Sequence, residues 1–340
     1  MPVTRKIIIG LIATAIITFT YLGFRFWHDT SSDDSEDDIV IVHIPSGASF
    51  DVILDSLDQA GLINDKISFR LLATATGADD DIKSGSYKFQ RGISQARLLN
   101  ALQEGDSLIR VKVTFPEGVT IRRIASIASK RIGLDSAELV DLANDREFLA
   151  SIGLNASTAE GYLMPDTYFM YWGAPPELLL REMAALFLKY YDEQKKKRAT
   201  AINLSPYEAV TLASLVEGEA RVDEERPIIA GLYLNRLRRG MKLDADPTIQ
   251  YILPDGPRRL LYDDLKIENP YNTYTYKGLP PTPINNPGRA SIEAVLDPAK
   301  HDFIYMVAKG DGSSAHTFSS TKGEHDRAVA AYRRRVKGNR

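Results

Sequence analysis

Apolar and polar residues alternate with two periods along this chain, and each change of period marks an element. Ile39-Val-Ile-Val-His-Ile44 reads as a strand, and Ile109-Arg-Val-Lys-Val-Thr-Phe115 as another by clean alternation. Ser49 can cap a helix carrying Val52, Ile53 and Leu57, which Gly61 ends. Ile82 to Phe89 is a further candidate strand with Gly85 at a turn or bulge. Ser94 opens a short helix with Leu98, Leu99 and Leu102, closed by Gly105. Leu178 to Lys197 reads as one helix, and its basic end, Lys195-Lys-Lys-Arg198, is a solvated face that suits the helix dipole. Pro227 to Arg239 forms a helix ending at Gly240, and Asp246-Pro247-Thr248 is an N-cap followed by Pro that starts a short one. The fold class is α+β.

The apolar face that matters most belongs to the helix after Ser205. Ser205 is a good N-cap, Pro206 suits the first helical position, and Glu208 completes a capping box. Val210, Leu212, Ala213, Leu215 and Val216 make this helix apolar around most of its girth, so it belongs inside a domain. Two acids, Glu217 and Glu219, stand at its end. Residues two apart on a helix diverge by about 200°, so they cannot share a face. Glu219 projects with Leu212, Leu215 and Val216, where desolvation would raise its pKa. Glu217 falls with Val210, Ala213 and Ser214, within reach of an Arg or a backbone donor. Spacing alone equally allows two solvated acids at a frayed helix end.

Two stretches break the periodic pattern. Pro45-x-Gly47-x-Ser49-Phe50-x-x-Ile53 is echoed by Pro116-x-Gly118-x-Thr120-Ile121-x-x-Ile124. Such strand–turn–helix units occur in modules that lie along extended polymers and equally in ordinary α+β packing. Residues 269–288 are rich in Pro, Gly, Asn and Tyr and cannot be regular structure. Long ordered loops of this kind usually line a site, and Tyr with Asn suits a carbohydrate; the plainer reading is a structural Ω-loop.

Ile7 to Phe24 holds no charge, which is just long enough to cross a bilayer. Arg5 and Lys6 precede it, while Arg25, Phe26, Trp27 and the polar run Asp29 to Asp38 follow, with no small-residue cleavage site. The expectation is an uncleaved anchor with its N-terminus in the cytoplasm and the rest of the chain outside, on the periplasmic face of the inner membrane. The predicted organisation is a tip and transmembrane helix over 1–28, an acidic linker over 29–38, a small α+β unit over 39–110 and a larger α+β domain over 111–338.

Composition narrows the chemistry. The 340 residues leave room for two or three domains, and a net charge of −3 argues against nucleic acid as a partner. With no cysteine, disulfides, thiolate metal sites and Cys nucleophiles are excluded, and the five histidines show no paired ligand spacing, so neither metal nor other cofactor is expected.

Seven ordered motifs carry a resemblance over residues ~40 to 335. Glu160-Gly-Tyr-Leu-Met-Pro-Asp-Thr-Tyr168, Ala213-Ser-Leu-Val-Glu-Gly-Glu219, Leu234-Asn-Arg-Leu237 and Met241-Lys-Leu-Asp-Ala-Asp-Pro-Thr248 are followed by Tyr271-Asn-Thr-Tyr274, Gly278-Leu-Pro-Pro281 and His316-Thr-Phe318. Together they resemble the endolytic murein transglycosylases of the MltG/YceG-like family. The resemblance implies a lytic transglycosylase that cleaves peptidoglycan glycan strands between N-acetylmuramic acid and N-acetylglucosamine. It places the catalytic glutamate on Glu219 and makes Glu217, Asp246, Tyr271, Asn272, Tyr274 and His316 candidates for orienting the sugar. Ala220 departs from the pattern, which expects a polar residue such as Thr, and offers no hydroxyl there. The 39–110 unit resembles a LysM-like glycan-binding fold, and the membrane-bound peptidoglycan synthases are partners by analogy. Two other readings are a hydrolytic muramidase, with Asp246 as its second carboxylate, and a non-catalytic, membrane-tethered glycan-binding scaffold.

Overall fold

The computed structural model describes residues 38–338 apart from Ser46 and Asp255. The expected span at 7–24 lies outside them, and no described helix is long and apolar enough to cross a membrane. The chain divides into two units. The first comprises Met1–Val113, Lys130–Leu134 and Phe169–Pro175, and the second Thr114–Ser129, Asp135–Tyr168 and Pro176–Arg340.

In the first unit, β1 (Ile39–Ile44), α1 (Phe50–Gln59), α2 (Lys66–Thr76), β2 (Gly85–Gln90) and α3 (Gln95–Glu104) follow in order. β1 and β2 pair antiparallel from Ile39 opposite Gln90 to Ile44 opposite Gly85. Val40, Val42 and Ile44 point inward with Leu54, Leu57, Phe69, Tyr87, Leu98 and Leu102. Burying an aliphatic or aromatic side chain of this size contributes about 1.5–3 kcal/mol each. The helix α2 is absent from the sequence reading. Its apolar Ile67, Phe69 and Leu71 alternate as a strand would, yet only Phe69 and Ala73 are buried, and the helix is set by Asp65, whose carboxylate accepts from the Ser68 N–H, and by left-handed Gly77.

The chain then runs through β3 (Arg110–Thr114), α4 (Ile121–Ile132), α5 (Ser136–Leu142), α6 (Arg146–Ser151) and β4 (Thr167–Tyr171), with β3 paired to β4. The stretch read as one helix over 178–197 is two: α7 (Pro176–Tyr190) and α8 (Glu193–Ala201). Asp192 breaks it by taking an extended conformation and capping the Lys195 N–H, so local capping overrides the continuous helical pattern.

The centre of the second unit is α9 (Pro206–Glu219). Its capping box forms as expected, with Ser205 and Glu208 bonded reciprocally, and every residue from Ala209 to Val216 is buried. A short 3₁₀ turn leads into α10 (Arg226–Arg238), followed by α11 (Asp246–Ile252) and α12 (Arg289–Leu296). Asp246 is the first helical residue of α11, one position inside the cap expected for it; Ala245 holds the cap position. β5 (Tyr305–Ala308) and β6 (His316–Ser319) pair antiparallel, and α13 (Lys322–Gly338) closes the chain. Residues 269–288 contain no helix or strand, as their composition requires.

Candidate active site

The last turn of α9 sends its two acids to different surroundings, as a 200° separation demands. Glu219 meets α10, where the fully buried Tyr233 donates its hydroxyl to Glu219 Oε1 at 3.0 Å. Burial pushes the Glu219 pKa up to about 7, and the negative charge of Asp246 adds to that. The Tyr233 hydroxyl, the Asp246 backbone N–H and the Arg221 guanidinium pull the other way. Tyr233 itself is raised well above its ordinary value by burial and by Glu219, so it stays a donor. Asp246 in turn accepts from the Tyr274 hydroxyl at 2.5 Å. Burial and this bond to Asp246 push the Tyr274 pKa up as well.

Gly218, between the two acids, makes room for α11. A Cβ there would stand 2.6 Å from Pro247 Cβ, so only glycine lets Pro247, and with it Asp246, approach the end of α9. The approach is fixed from behind. Arg236 reaches from α10 to the carbonyls of Leu243 (2.8 Å) and Ile304 (2.6 Å) and to Asp244 (3.0 Å). Thr273 accepts from the Ala245 N–H at 2.9 Å and shares a 3.0 Å bond with Thr248.

Glu217 looks elsewhere. It accepts from the Gly288 N–H (3.0 Å) and pairs with Arg226 (3.2 Å), the two side chains being 7% and 10% exposed. Arg226 also binds Asp223 (3.0 Å) and the Ser291 hydroxyl. A neighbouring acid, Glu117, is raised by burial first and then by the Glu217 charge.

The other residues singled out from the sequence divide between the site and its frame. Asn272 is fully buried, donating to the carbonyls of Leu265 (3.1 Å) and Ile267 (2.8 Å) and accepting from the Tyr274 N–H (2.8 Å). Its amide is thus occupied in shaping the loop that presents Tyr274. Tyr271 shares a 2.7 Å bond with the Thr282 hydroxyl and lies against Tyr251. His316 belongs to a separate pair, bonded through its backbone N–H (2.7 Å) and Nδ1 (2.8 Å) to the buried Glu225. Glu219, Tyr233, Asp246 and Tyr274 are therefore the four that come together. Tyr233 was not singled out from the sequence, because in the run Ile228-Ile-Ala-Gly-Leu-Tyr-Leu234 it reads as core. Among the described residues no group of three or more His, Asp or Glu could hold a metal.

Chemically, the site offers one carboxyl close to half-protonated at neutral pH, held by a phenol and set beside a second carboxylate that is itself hydrogen-bonded. Such a group can give a proton and take one back.

The chain as a whole is similar to known proteins. The model of the YceG-like family matches residues 42–331. The chain is 30% identical over 310 residues to an endolytic murein transglycosylase of Bacillus subtilis, covering 86% of this chain and 84% of the relative. It is likewise 30% identical over 348 residues to an endolytic murein transglycosylase of Streptococcus pneumoniae, covering 92% of this chain but only 62% of that longer relative. A crystal structure of a yceG-like protein from Listeria monocytogenes superposes with a TM-score of 0.59 at 30% identity, over 86% of this chain and 99% of that one.

Proposed function

The chain belongs to the YceG-like family, and from that membership we infer that it is an endolytic murein transglycosylase. It is a peptidoglycan lytic transglycosylase, a lyase that cuts glycan strands internally at the bond from N-acetylmuramic acid to N-acetylglucosamine. The observation that carries this reading is the similarity, across most of the chain, to two relatives bearing that name.

Glu219 is the proposed catalytic residue. In its protonated form it donates to the glycosidic oxygen as the C1–O bond breaks, and N-acetylglucosamine leaves with that proton. The resulting carboxylate takes the proton of the muramyl C6 hydroxyl, whose oxygen bonds to C1 and closes a 1,6-anhydro ring. The enzyme ends with Glu219 protonated again, and no water is consumed. A nucleophile internal to the substrate removes the need for the second carboxylate of ordinary glycosidases. A pKa near 7 supports this role, since one group must act as acid and then as base. Tyr233 holds the carboxyl, and Asp246 with Tyr274 faces the same locality, where a negative charge would favour the cationic character that develops at C1. Tyr271 is proposed to bind sugar from the loop, Glu217 and Asn272 to act through the frame they brace, and His316 through its pair with Glu225.

Residues 7–24 are proposed to anchor the protein in the inner membrane, with the catalytic unit on the periplasmic side near the synthases that extend glycan strands. The order β1-α1-α2-β2 with antiparallel strands supports a LysM-like reading of the first unit. Its exposed Phe169, Tyr171 and Trp172 are suited to stacking on sugar faces.

Mass spectrometry of sacculi digested with the purified protein tests the chemistry. Anhydromuramyl ends are expected. New reducing ends would mean a hydrolytic muramidase, and no new ends a glycan-binding scaffold.

A further inference from the structure

The last residues of the proline-rich loop, Ile284 to Gly288, are bonded on two sides. One side meets the helix that ends in Glu219. The Ile284 N–H donates to Ser214 Oγ (3.0 Å), Asn285 Nδ2 donates to the Ser214 carbonyl (2.8 Å), and the Gly288 N–H donates to Glu217 (3.0 Å). Ser214 is fully buried, so its contacts lie within the packed interior of α9.

The other side is Asn286, also fully buried. Its Oδ1 accepts from the N–H groups of Gly161 (2.9 Å) and Leu163 (3.0 Å), and its Nδ2 donates to Glu160 (2.8 Å) and to the Val119 carbonyl (3.0 Å). Its backbone bonds the same turn, donating to the Val119 carbonyl (3.0 Å) and accepting from the Gly118 N–H (2.9 Å). Glu160 is 3% exposed and accepts in addition from the Ile121 N–H (3.1 Å). A side-chain amide with four such partners has one orientation. Exchanging its O and N would set oxygen against the Val119 carbonyl, and the Gly161 and Leu163 N–H donors against the amide nitrogen.

We propose that Asn286, oriented by Glu160, is a positioning residue for Glu219: it fixes the Ile284–Gly288 segment, which in turn fixes the last turns of α9. This rests on the reading of Glu219 as proton donor. Asn286 touches none of the reacting groups. Its effect passes through Ser214 and Glu217 to the pitch and depth at which the helix delivers its terminal acid. The groups facing that acid are Tyr233 from α10, Asp246 from α11, Tyr274 from the loop and Arg221 just beyond the helix. A slackened helix end admits water among them, which favours the ionised carboxylate and shifts the pH at which the acid is loaded.

The test uses the full-length protein, isolated glycan strands and counted anhydromuramyl ends, with kcat and KM measured from pH 5 to 9. Asn286→Asp removes the donor facing Glu160 and sets two carboxyl groups together. We expect kcat to fall on the order of 10- to 100-fold, KM to change little, and the alkaline limb of the kcat profile to move to lower pH. Adding Glu160→Gln restores a donor to that pair and should recover part of the loss, the Val119 carbonyl keeping only its bond from the backbone N–H of residue 286. Ser214→Ala cuts the same link at its other end, should move the limb in the same direction by less, and decides the matter if Asn286→Asp does not fold. A lowered melting temperature with an unmoved limb in both variants, or wild-type kcat in both, would overturn the proposal. Glu219→Gln, run in parallel, separates the two ideas. If it still cuts, the acid assignment fails; if it is dead while the Asn286 and Ser214 variants match wild type, only the positioning role fails.

Discussion

At neutral pH Glu219 sits near the midpoint of its titration, because burial and the Asp246 charge outweigh three groups that favour ionisation. The sign of the pH effect follows. If Glu219 is the proton donor, cleavage needs its protonated form, so turnover should be sustained below about pH 7 and decline as pH rises past the elevated pKa. A flat kcat profile from pH 5 to 9, with chemistry rate-limiting, would contradict that. Glu219→Gln keeps the shape and removes the proton, which should cost on the order of 10²–10⁴-fold in anhydromuramyl formation while the melting temperature holds. Glu217→Gln should be milder, because that carboxylate is tied to Arg226 and Gly288. Tyr233→Phe makes a sharper test. Its hydroxyl favours the carboxylate, so losing it should raise the Glu219 pKa by roughly one unit, the scale of one charge-assisted hydrogen bond. The alkaline limb then moves to higher pH, opposite to the shift expected from loosening the helix. The divergence of the two acids was legible in the sequence because helix angle is a local property. The partners were not, since Tyr233 and Asp246 reach Glu219 through the packing of separate helices, which no local pattern encodes.

Among elements, the junction of α9 with α11 decides how close the second carboxylate comes. Gly218→Ala brings two opposed effects. Alanine favours a helix over glycine by about 1 kcal/mol, while crowding a packed contact costs about 1–3 kcal/mol. With Pro247 carbons at 2.6 and 2.7 Å from the added Cβ, crowding should win. The expected result is a modestly lower melting temperature in calorimetry and a larger loss of kcat, as Asp246 is pushed away with Pro247. A more active variant would mean that Asp246 does not need its present place. Local rules located most elements here. The capping box at Ser205 and Glu208 formed as written, and Gly61 and Gly105 lie just past α1 and α3 in the left-handed conformation. The repeated turn also holds its shape, with Gly47 and Gly118 both left-handed, but the copies differ in surroundings. A Cβ at Gly47 would meet nothing, whereas at Gly118 it would meet the Glu217 side chain. Sequence shows the repeat; only packing shows that its second copy backs the helix carrying Glu217 and Glu219. The failures have the same origin in reverse, since α2 leaves Ile67 and Leu71 exposed and so conceals its helical period.

For the whole molecule, the two units interleave in sequence, and that changes which truncations are informative. The first unit takes Lys130–Leu134 and Phe169–Pro175 from beyond residue 110. Within it the Ser86 N–H donates to the Trp172 carbonyl (3.1 Å), the Trp172 N–H to the Ile109 carbonyl (3.0 Å) and the Gly173 N–H to the Ile132 carbonyl (2.7 Å). Deleting residues 1–110 would strip these partners from Trp172 and expose the chain around Ile132, so that product should melt lower and aggregate. Its loss of activity would say little about glycan binding. Removing 1–37 instead leaves every described element intact. If residues 7–24 are the anchor, this shortened protein should fail to float with lipid vesicles while the full-length protein does float. If the first unit holds the strand while Glu219 cuts, both proteins should release glycans of the same length distribution when the products are sized by chromatography. A broadened distribution from the shortened protein would instead assign the choice of cutting site to the membrane tether, since the roughly ten residues over 29–38 could span at most ~35 Å if fully extended.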